Sequence, residues 1–371
     1  MISLVQPDAA VLEQARKRFR RFASPKGSDY LPLILSTPVP EVPSKTDFNR
    51  PLLFDYDEQL ADLDKMLHEQ LRGVIMLCRT RSDGIPSVSP RFGIGFLPSV
   101  FGVEQKVFAD RPPWIKRHLS KDEISKVEIP RDLSSAGLIP QAIAFVRRAR
   151  EVLRDRIPVG LYFMLSPIDI AFMARGEEIM TDMHDNPRFV HGLLEKTTDL
   201  FIRATRLLKR ECGEPTEEGT YAHGLYMTRG GAMLCEDCAV MLSPKMHREF
   251  VIPYTRKALA EFGGGWVHFC GQGSHLIPNY YEVKELRGFL FGQLDLYDRE
   301  ALLRDVVAHG KSMLYSLPRK PGEPLDDYFR RALLPLKGRP KKGMVFNTYV
   351  NDPHDAPEAM AAWRAAQDRL L

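Results

Sequence analysis

A histidine and a cysteine two residues apart, His268 and Cys270, have the side chains best suited to chemistry in this chain. They end the run WVHFC, which predicts a short buried strand. Side chains two positions apart on a strand share a face, so an imidazole and a thiol would face one space. Together they can supply half of a zinc site. A buried, hydrogen-bonded histidine beside a small apolar cysteine fits the same spacing, so the pair alone leaves both interpretations open.

The residues that follow this pair predict a turn able to bind an anion. Gly271 and Gly273 break the backbone, and Ser274 can cap a following helix. Backbone N–H groups in such a turn can bind a carboxylate or a phosphate. We therefore expect Gly271, Gly273 and His275 to contact a substrate, together with Gln293 at the end of the next predicted strand.

A second cysteine motif, CEDC, contains Cys235 and Cys238 and lies in a predicted strand-to-helix loop. A CxxC pair can be half of a zinc site or a redox pair, and two reduced loop thiols fit equally well. A zinc ribbon is excluded because no second CxxC is present. If this loop overhangs His268, one of the two thiols can supply a third ligand. Glu236 and Asp237, which lie between them, can act as acid, base or ligand.

The elements that must position these residues alternate between strand and helix along the chain. This alternation favours a parallel sheet, and eight units in 371 residues favour a closed (β/α)8 TIM barrel. Because such barrels carry their chemistry where the strands end, we expect His268, Cys270, Gln293, Asp295 and Asn347 at one end. The predicted strands cover residues 31–35, 74–78, 159–165, 225–228, 266–270, 288–293, 312–317 and 343–348.

The helices that separate these strands follow from apolar periodicity, proline and glycine. We expect an N-terminal helical extension over residues 1–45 and the barrel over residues 46–371. Residues 83–115 are rich in turn residues and predict a long irregular insertion. The predicted helices cover residues 7–22, 55–71 with a stop at Gly73, 139–156, 187–211, a helix from Ser243 kinked at Pro253, 298–309, 325–334 and 356–371.

Three arginines, Arg79, Arg81 and Arg91, flank the end of the predicted second strand and the irregular stretch after it. The planar guanidinium fork suits carboxylates, so these side chains are candidates for substrate binding; solvated surface arginines fit equally well. The chain has no GxGxxG, Walker A or GxSxG pattern, which argues against nucleotide-binding and serine-hydrolase chemistry.

Composition narrows the class of partner. The net charge is +4, from 52 basic and 48 acidic residues that are interspersed, which argues against a nucleic-acid partner. No apolar run approaches a membrane span, and five cysteines in 371 residues do not make a disulfide framework. We expect a protein of the reducing cytoplasm that acts on a small-molecule substrate, without a membrane partner, as a monomer or a homodimer.

The second half of the chain resembles the uroporphyrinogen decarboxylase superfamily. The resemblance rests on EDCAVMLSPKMHREFVIPY, then WVHFCGQGSHLIP and GFLFGQLD, with SPIDIAFMARGEEIMTDMHDNPRFV before them and FNTYVNDP after them. It covers roughly residues 45–365. It implies a (β/α)8 barrel with a deep cleft at the C-terminal ends of the strands.

True decarboxylases of this superfamily act on a tetrapyrrole without metal or cofactor. They carry paired arginines after the first strand, where this chain reads STPVPEVP. They also carry an aspartate after the second strand, for which Asp83 is the nearest candidate, and a Gly-His-Gly-like turn where this chain has NTYVND. A metal-independent carboxy-lyase acting on a tetrapyrrole or another carboxylate is therefore the alternative reading.

The cobamide-dependent methyltransferases of the superfamily bind zinc through a His-x-Cys pair and a distant cysteine after the last strand. His268 and Cys270 match the pair, whereas Asn347 occupies the place of the third ligand. We expect Cys235 or Cys238 to complete the site, ahead of Asp295, and we expect Asp237, Asp295 and Asn347 to be catalytic. The resemblance thus implies a zinc-assisted methyltransferase that moves methyl between a corrinoid on a partner protein and a small acceptor such as a thiol. A non-catalytic corrinoid or tetrapyrrole binder is a further alternative.

Overall fold

The computed structural model describes residues 1–24, 26–38, 45–46, 51–162 and 164–371. Two predicted features fall partly outside these ranges. They are the proline-rich stretch after the first strand, at residues 39–43, and Phe163 within the predicted third strand.

A parallel sheet of seven strands, in the order β1-β13-β12-β11-β10-β9-β6, forms the centre of the fold. Three antiparallel pairs, β2 with β3, β4 with β5 and β7 with β8, lie outside it. The strands are β1 (Leu33–Ser36), β2 (Lys45–Thr46), β3 (Pro51–Leu52), β4 (Gln105–Lys106), β5 (Trp114–Ile115), β6 (Met164–Leu165), β7 (Glu218–Thr220), β8 (Tyr226–Thr228), β9 (Ala232–Cys235), β10 (Gly265–Phe269), β11 (Leu286–Phe291), β12 (Ser312–Tyr315) and β13 (Met344–Tyr349).

An irregular segment, residues 82–89, fills the gap between β1 and β6. Its N-terminal part bonds to β1, because the Asp83 N–H donates to the Leu33 carbonyl at 3.0 Å. Its C-terminal part pairs in parallel with the third strand through Val88 and Val159. Eight parallel segments therefore surround one core, and the fold is the predicted (β/α)8 barrel.

The helices surround the sheet as a barrel requires, and most lie where the periodicity predicts them. The break between α9 and α10 falls at Val251, two residues before Pro253. The helices are α1 (Ala9–Phe22), α2 (Tyr56–Ala61), α3 (Leu63–Thr80), α4 (Lys121–Lys126), α5 (Ile139–Leu153), α6 (Pro167–Arg175), α7 (Glu178–Asp185), α8 (Pro187–Cys212), α9 (Pro244–Phe250), α10 (Ile252–Ala260), α11 (Ile277–Tyr281), α12 (Arg299–Ala308), α13 (Leu325–Leu333) and α14 (Ala356–Leu370).

The predicted second strand, residues 74–78, is wrong, since these residues belong to helix α3. The helix passes Gly73 and ends at Thr80. Its buried residues Met66, Leu71, Val74 and Ile75 continue one helical stripe, so VIMLC is a helical segment in which Val74 and Ile75 are buried and the other three residues are half-buried. The position of the second barrel strand belongs to residues 82–89.

The predicted fourth barrel strand, residues 225–228, is also wrong. Strand β8 pairs antiparallel with β7 in a hairpin outside the barrel sheet. The fourth barrel strand is β9, which is buried along its length and lies between β6 and β10. Gly265 permits a close approach here, because a Cβ atom on it would lie 2.0 Å from the Ala232 carbonyl oxygen.

Helix α1 covers the end of the barrel at which the strands begin. Its buried side chains include Phe19 and Phe22, and the Phe19 ring contacts the Tyr226 ring edge-on at 6.3 Å. The division into residues 1–45 and 46–371 stays a prediction, although β1 is already part of the barrel sheet. Within the described ranges, no helix has the combination of length and apolar character that a membrane span requires.

Candidate metal centre

Cys235 and His268 lie side by side at the C-terminal ends of β9 and β10, where they are register partners. Adjacent partners in a parallel pair point to the same face of a sheet, so both side chains face the barrel mouth. Asp237 follows β9 by two residues. The Cys235 Sγ, a carboxylate oxygen of Asp237 and a ring nitrogen of His268 all lie within 4.8 Å of one another.

Cys270 follows the last residue of β10 and adds a second thiol. Its Sγ lies 3.6 Å from Nε2 of His268, and its backbone N–H donates to Oδ1 of Asp237 at 2.7 Å. Gly292 allows this approach, because a Cβ atom there would lie 2.8 Å from the Cys270 Sγ. Cys235, Asp237 and His268 form the group of metal-ligating atoms, and Cys270 lies beside it through its contact with His268; we call these four residues the donor cluster.

The donor cluster suits zinc in chemistry and in spacing. Two thiols, an imidazole and a carboxylate are the ligands that zinc takes in proteins. Tetrahedral zinc–sulfur and zinc–nitrogen bond lengths imply a sulfur-to-nitrogen separation of roughly 3.6 Å. The Cys270 Sγ to His268 Nε2 distance is 3.6 Å, and His268 Nε2 lies 3.8 Å from Asp237 Oδ1.

In the metal-free donor cluster, burial is the largest cause of the pKa shifts of Cys235, His268 and Cys270. It lowers the pKa of His268, while the nearby Asp237 carboxylate acts in the opposite direction, so the imidazole is held neutral as a metal ligand must be. Burial and then Asp237 raise the pKa of Cys235 well above its usual value and that of Cys270 to about 11.

Glu236 fixes the loop that carries Asp237. Its buried carboxylate accepts hydrogen bonds from the Thr255 hydroxyl and the Tyr280 hydroxyl, both at 2.5 Å. Its backbone N–H donates to the His268 carbonyl at 2.8 Å, which joins the loop to β10. Burial raises the pKa of Glu236 to about 7. These contacts hold the ends of β9 and β10 together.

Cys238 belongs to a second, deeper group around Asp169. The Asp169 carboxylate accepts from the Cys238 N–H at 2.8 Å and from the Ser166 hydroxyl at 3.1 Å. The Cys238 thiol also hydrogen-bonds to Asp169, while Cys235 meets His268. Of the two cysteines considered as third ligand, only Cys235 is in the group of metal-ligating atoms found among the described residues.

In the predicted anion-binding turn, the backbone N–H groups of both glycines already donate hydrogen bonds within the protein. The Gly271 N–H donates to Gln293 Oε1 at 2.5 Å, and the Gly273 N–H donates to the Tyr297 hydroxyl at 2.8 Å. The helix expected after Ser274 is wrong, because α11 begins only at Ile277 and has five residues. The turn therefore holds the backbone around Cys270 in place by internal bonds.

The other residues predicted at the mouth lie on neighbouring strand ends. Asp295 is exposed in the short 3-10 helix Leu294–Leu296, and Asn347 is half-buried on β13 opposite Ile34. The His275 Nε2 lies 3.0 Å from the Leu242 carbonyl oxygen. Asp295 is not in the group of metal-ligating atoms found among the described residues, and the catalytic roles of Asp295 and Asn347 stay predictions.

Two of the three candidate arginines lie at the opposite end of the barrel. Arg79 is in the last turn of α3 and Arg81 is its C-terminal cap, ion-paired with Asp8 at the start of α1. They were placed near the mouth because residues 74–78 were predicted as a strand. Arg91 does follow the second barrel segment, and its guanidinium lies 4.8 Å from the centre of the Tyr162 ring.

Asp169 is a supporting residue that sequence reasoning did not assign, and Glu236 was predicted only as a possible acid, base or ligand. The signal for Asp169 is the Ser-Pro-x-Asp sequence at the start of α6, where Ser166 caps the helix. Glu236 stands inside the CEDC motif but gives no such signal, since burial alone separates its role from that of Asp237.

Comparisons with known proteins agree with this barrel. The family model described as Uroporphyrinogen decarboxylase (URO-D) matches residues 84–211, from the second barrel segment through α8. The chain is similar to this family over the matched residues. The predicted resemblance to this superfamily is therefore confirmed, and the matched stretch contains Asp169 and Arg91.

A solved structure of low sequence identity shares the fold of this chain. A methyltransferase from Methanosarcina mazei is 15% identical with a TM-score of 0.66, over 96% of this chain and 98% of that one. A B12-independent methionine synthase from Shewanella sp. W3-18-1, solved with selenomethionine, is 13% identical with a TM-score of 0.44, over 92% of this chain and 98% of that one. No curated protein sequence matches the chain.

Proposed function

We propose that this protein is a zinc-dependent methyltransferase that moves methyl between a corrinoid and a small acceptor such as a thiol. The observation that carries the proposal is the donor cluster at the C-terminal ends of β9 and β10, where barrel enzymes hold their reacting groups. The proposal extends to this chain the activity named for the Methanosarcina mazei protein, whose fold it shares.

Cys235, His268 and Cys270 are the residues that we propose to hold zinc. A catalytic zinc site needs three protein ligands and one position for substrate, and these three side chains meet that requirement. Bound zinc would keep an acceptor thiol as its thiolate at neutral pH, the form that accepts a methyl group. Nε2 of His268 lies towards Cys270 and Asp237, which leaves this nitrogen able to coordinate.

Asp237 is the member of the cluster that we propose to meet the substrate. Its side chain is 44% exposed, whereas that of His268 is 7% exposed. Its carboxylate lies within 4.8 Å of the Cys235 Sγ and of the His268 ring nitrogen. An acceptor thiol approaching from the mouth reaches the Asp237 carboxylate first.

A corrinoid held by a partner protein and a small thiol are the two substrates that this proposal requires. The barrel mouth is the side from which both would approach the donor cluster. Each of the five cysteines carries a free thiol, and we propose that the protein works in the reducing cytoplasm.

The test of the proposal is demethylation of methylcobalamin by the zinc-loaded protein in the presence of a panel of small thiols, followed by absorbance. We expect Cys270→Ala to lower the rate by at least about 100-fold, because a ligand is lost. Cys78→Ala is the matched control, since Cys78 lies in α3 away from the cluster, and it should leave the rate unchanged. A zinc-loaded wild type that demethylates no faster than free thiol would contradict the proposal.

The carboxy-lyase alternative has less support. Its substrate carboxylates would need cationic partners, and Arg79 and Arg81 lie at the far end of the barrel. Asp83 is buried there too, where it accepts from the Leu33 N–H and pairs with Arg18. We therefore expect no conversion of uroporphyrinogen to coproporphyrinogen, and turnover at an ordinary enzymatic rate would favour the lyase.

A further inference from the structure

A cavity of about 610 Å³ lies at the end of the barrel opposite the donor cluster. Its walls come from the beginnings of four neighbouring strands, among them Trp266 of β10 and Leu286 of β11. Helix α1 closes one side with Phe19 and Phe22. The volume is in the range of small-molecule sites, and nothing in the proposed methyl transfer uses this end of the barrel.

The charged side chains that line this cavity are all basic. Among the lining residues, which all lie in the described part of the chain, there is no aspartate or glutamate. Like charges repel one another, so a group of basic side chains around one cavity favours an anionic occupant. The six basic residues are Arg229, Lys284, Arg287, Lys311, Arg339 and Lys342.

Neutral backbone groups hold two of these cations in place. Arg287 donates to the carbonyls of Arg229, Lys284 and Gly263 at 2.7–2.8 Å. Lys311 donates at 2.9 Å to the carbonyls of Val283 and Leu286. These bonds use three of the five N–H donors of arginine and two of the three of lysine. Backbone groups therefore position both cations and N–H donors remain for a ligand, while Glu285 and Glu217 act on the pKa of Arg287 in the direction opposite to burial and Arg229.

The electrostatics around the cavity favour an anionic ligand. Burial, and after it the neighbouring Arg287, lowers the pKa of Lys311, and Glu285 acts in the opposite direction. Glu285 does not line the cavity, and its carboxylate lies 3.9 Å from the Arg256 side chain. An anion in the cavity would relieve the repulsion between Lys311 and Arg287.

We propose that this cavity binds a small organic phosphate with a flat apolar body. The body would lie against Trp266, Phe19 and Phe22, and the phosphate would meet the basic side chains at the rim. Arginine and lysine together suit a phosphate through a planar fork and a point charge. The site is separate from the donor cluster, so its occupancy does not depend on bound zinc.

The probe is 1-naphthyl phosphate, titrated into the full chain by calorimetry, with 1-naphthol as the uncharged analogue. We expect saturable binding of the phosphate and weaker binding of the naphthol. The double variant Lys284→Gln/Arg339→Gln should weaken phosphate binding on the order of tenfold, since two partly exposed charges are lost. Lys126→Gln on α4, exposed and away from the cavity, is the matched control and should bind as the wild type does.

Further outcomes separate this cavity from the barrel mouth. Cys270→Ala should bind the phosphate as tightly as the wild type, and loss of binding in that variant would place the ligand at the mouth instead. A melting temperature within a few degrees of wild type will show that the double variant is folded. Equal affinity for the phosphate and the naphthol, or unchanged phosphate affinity in the double variant, would overturn the proposal.

Discussion

Cys235 and His268 are register partners at the C-terminal ends of two adjacent parallel strands. This pairing brings together a thiol and an imidazole that are separated by 33 positions in the chain. It also fixes their relative height, because parallel strands keep side chains of paired residues on one face. Cys270 and Asp237 then join from the loops that leave the same two strands.

Gly292 leaves space for the Cys270 thiol, and filling that space should disturb the zinc site. A Cβ atom at position 292 would lie 2.8 Å from the Cys270 Sγ. We expect Gly292→Ala to lower zinc affinity on the order of tenfold, measured by competition with a coloured chelator. Gly192→Ala, at a helical position with open space, is the control and should keep zinc affinity. Wild-type affinity in Gly292→Ala would show that the Cys270 thiol is not a ligand.

Cys235 and Cys238 should respond differently to the same substitution. The Cys238 thiol bonds to Asp169, and a serine hydroxyl can make the same bond, so Cys238→Ser should keep its zinc. Cys235→Ser should lose most of its zinc, because the Cys235 Sγ lies within 4.8 Å of the ligand atoms of His268 and Asp237. Zinc per protein chain, measured by mass spectrometry after dialysis, compares the two. The opposite ranking would move the third ligand to Cys238.

His247 should make the metal-free protein sensitive to acid. Burial lowers its pKa to about 3, from 6.5 in the unfolded chain. The unfolded state therefore binds one more proton between these values, and stability present above pH 6.5 is lost as the pH falls. Between pH 7 and pH 5 we expect the free energy of unfolding to fall by about 2 kcal/mol from this group.

The measurement for His247 is urea unfolding at pH 7 and pH 5 in the presence of a chelator, so that metal release does not contribute. His247→Gln can still accept the hydrogen bond from Asn279 but carries no titrating group. It should lose about 2 kcal/mol less than the wild type between the two pH values. Equal losses in the two proteins would contradict the assignment.

The order of strands and helices could be predicted from sequence over most of the chain, and two particular segments show why not all of it could. The run Val74–Cys78 is apolar, and a short apolar run is compatible with a buried strand or a buried helix face. The segment Tyr226–Thr228 does form a strand, but its partner is β7. Pairing depends on contacts between distant residues, which local pattern does not report.

The candidate site could be predicted in part for a similar reason. His268 and Cys270 share a strand end, so their spacing alone brought them together. Cys235 and Cys238 are equivalent in the CEDC motif, and only the register of β9 against β10 separates them. The support of the loop by Asp169 depends on a contact across 69 positions, which the local Ser-Pro-x-Asp sequence does not report.

Zinc bound to the purified wild-type protein tests the central claim most directly. Protein expressed with zinc and dialysed should retain about one zinc per chain, and its X-ray absorption should show two sulfur ligands at about 2.3 Å and nitrogen or oxygen ligands at about 2.0–2.1 Å. These neighbours correspond to Cys235, Cys270 and His268. A protein that retains no zinc after loading, or a zinc surrounded only by nitrogen and oxygen, would contradict the account.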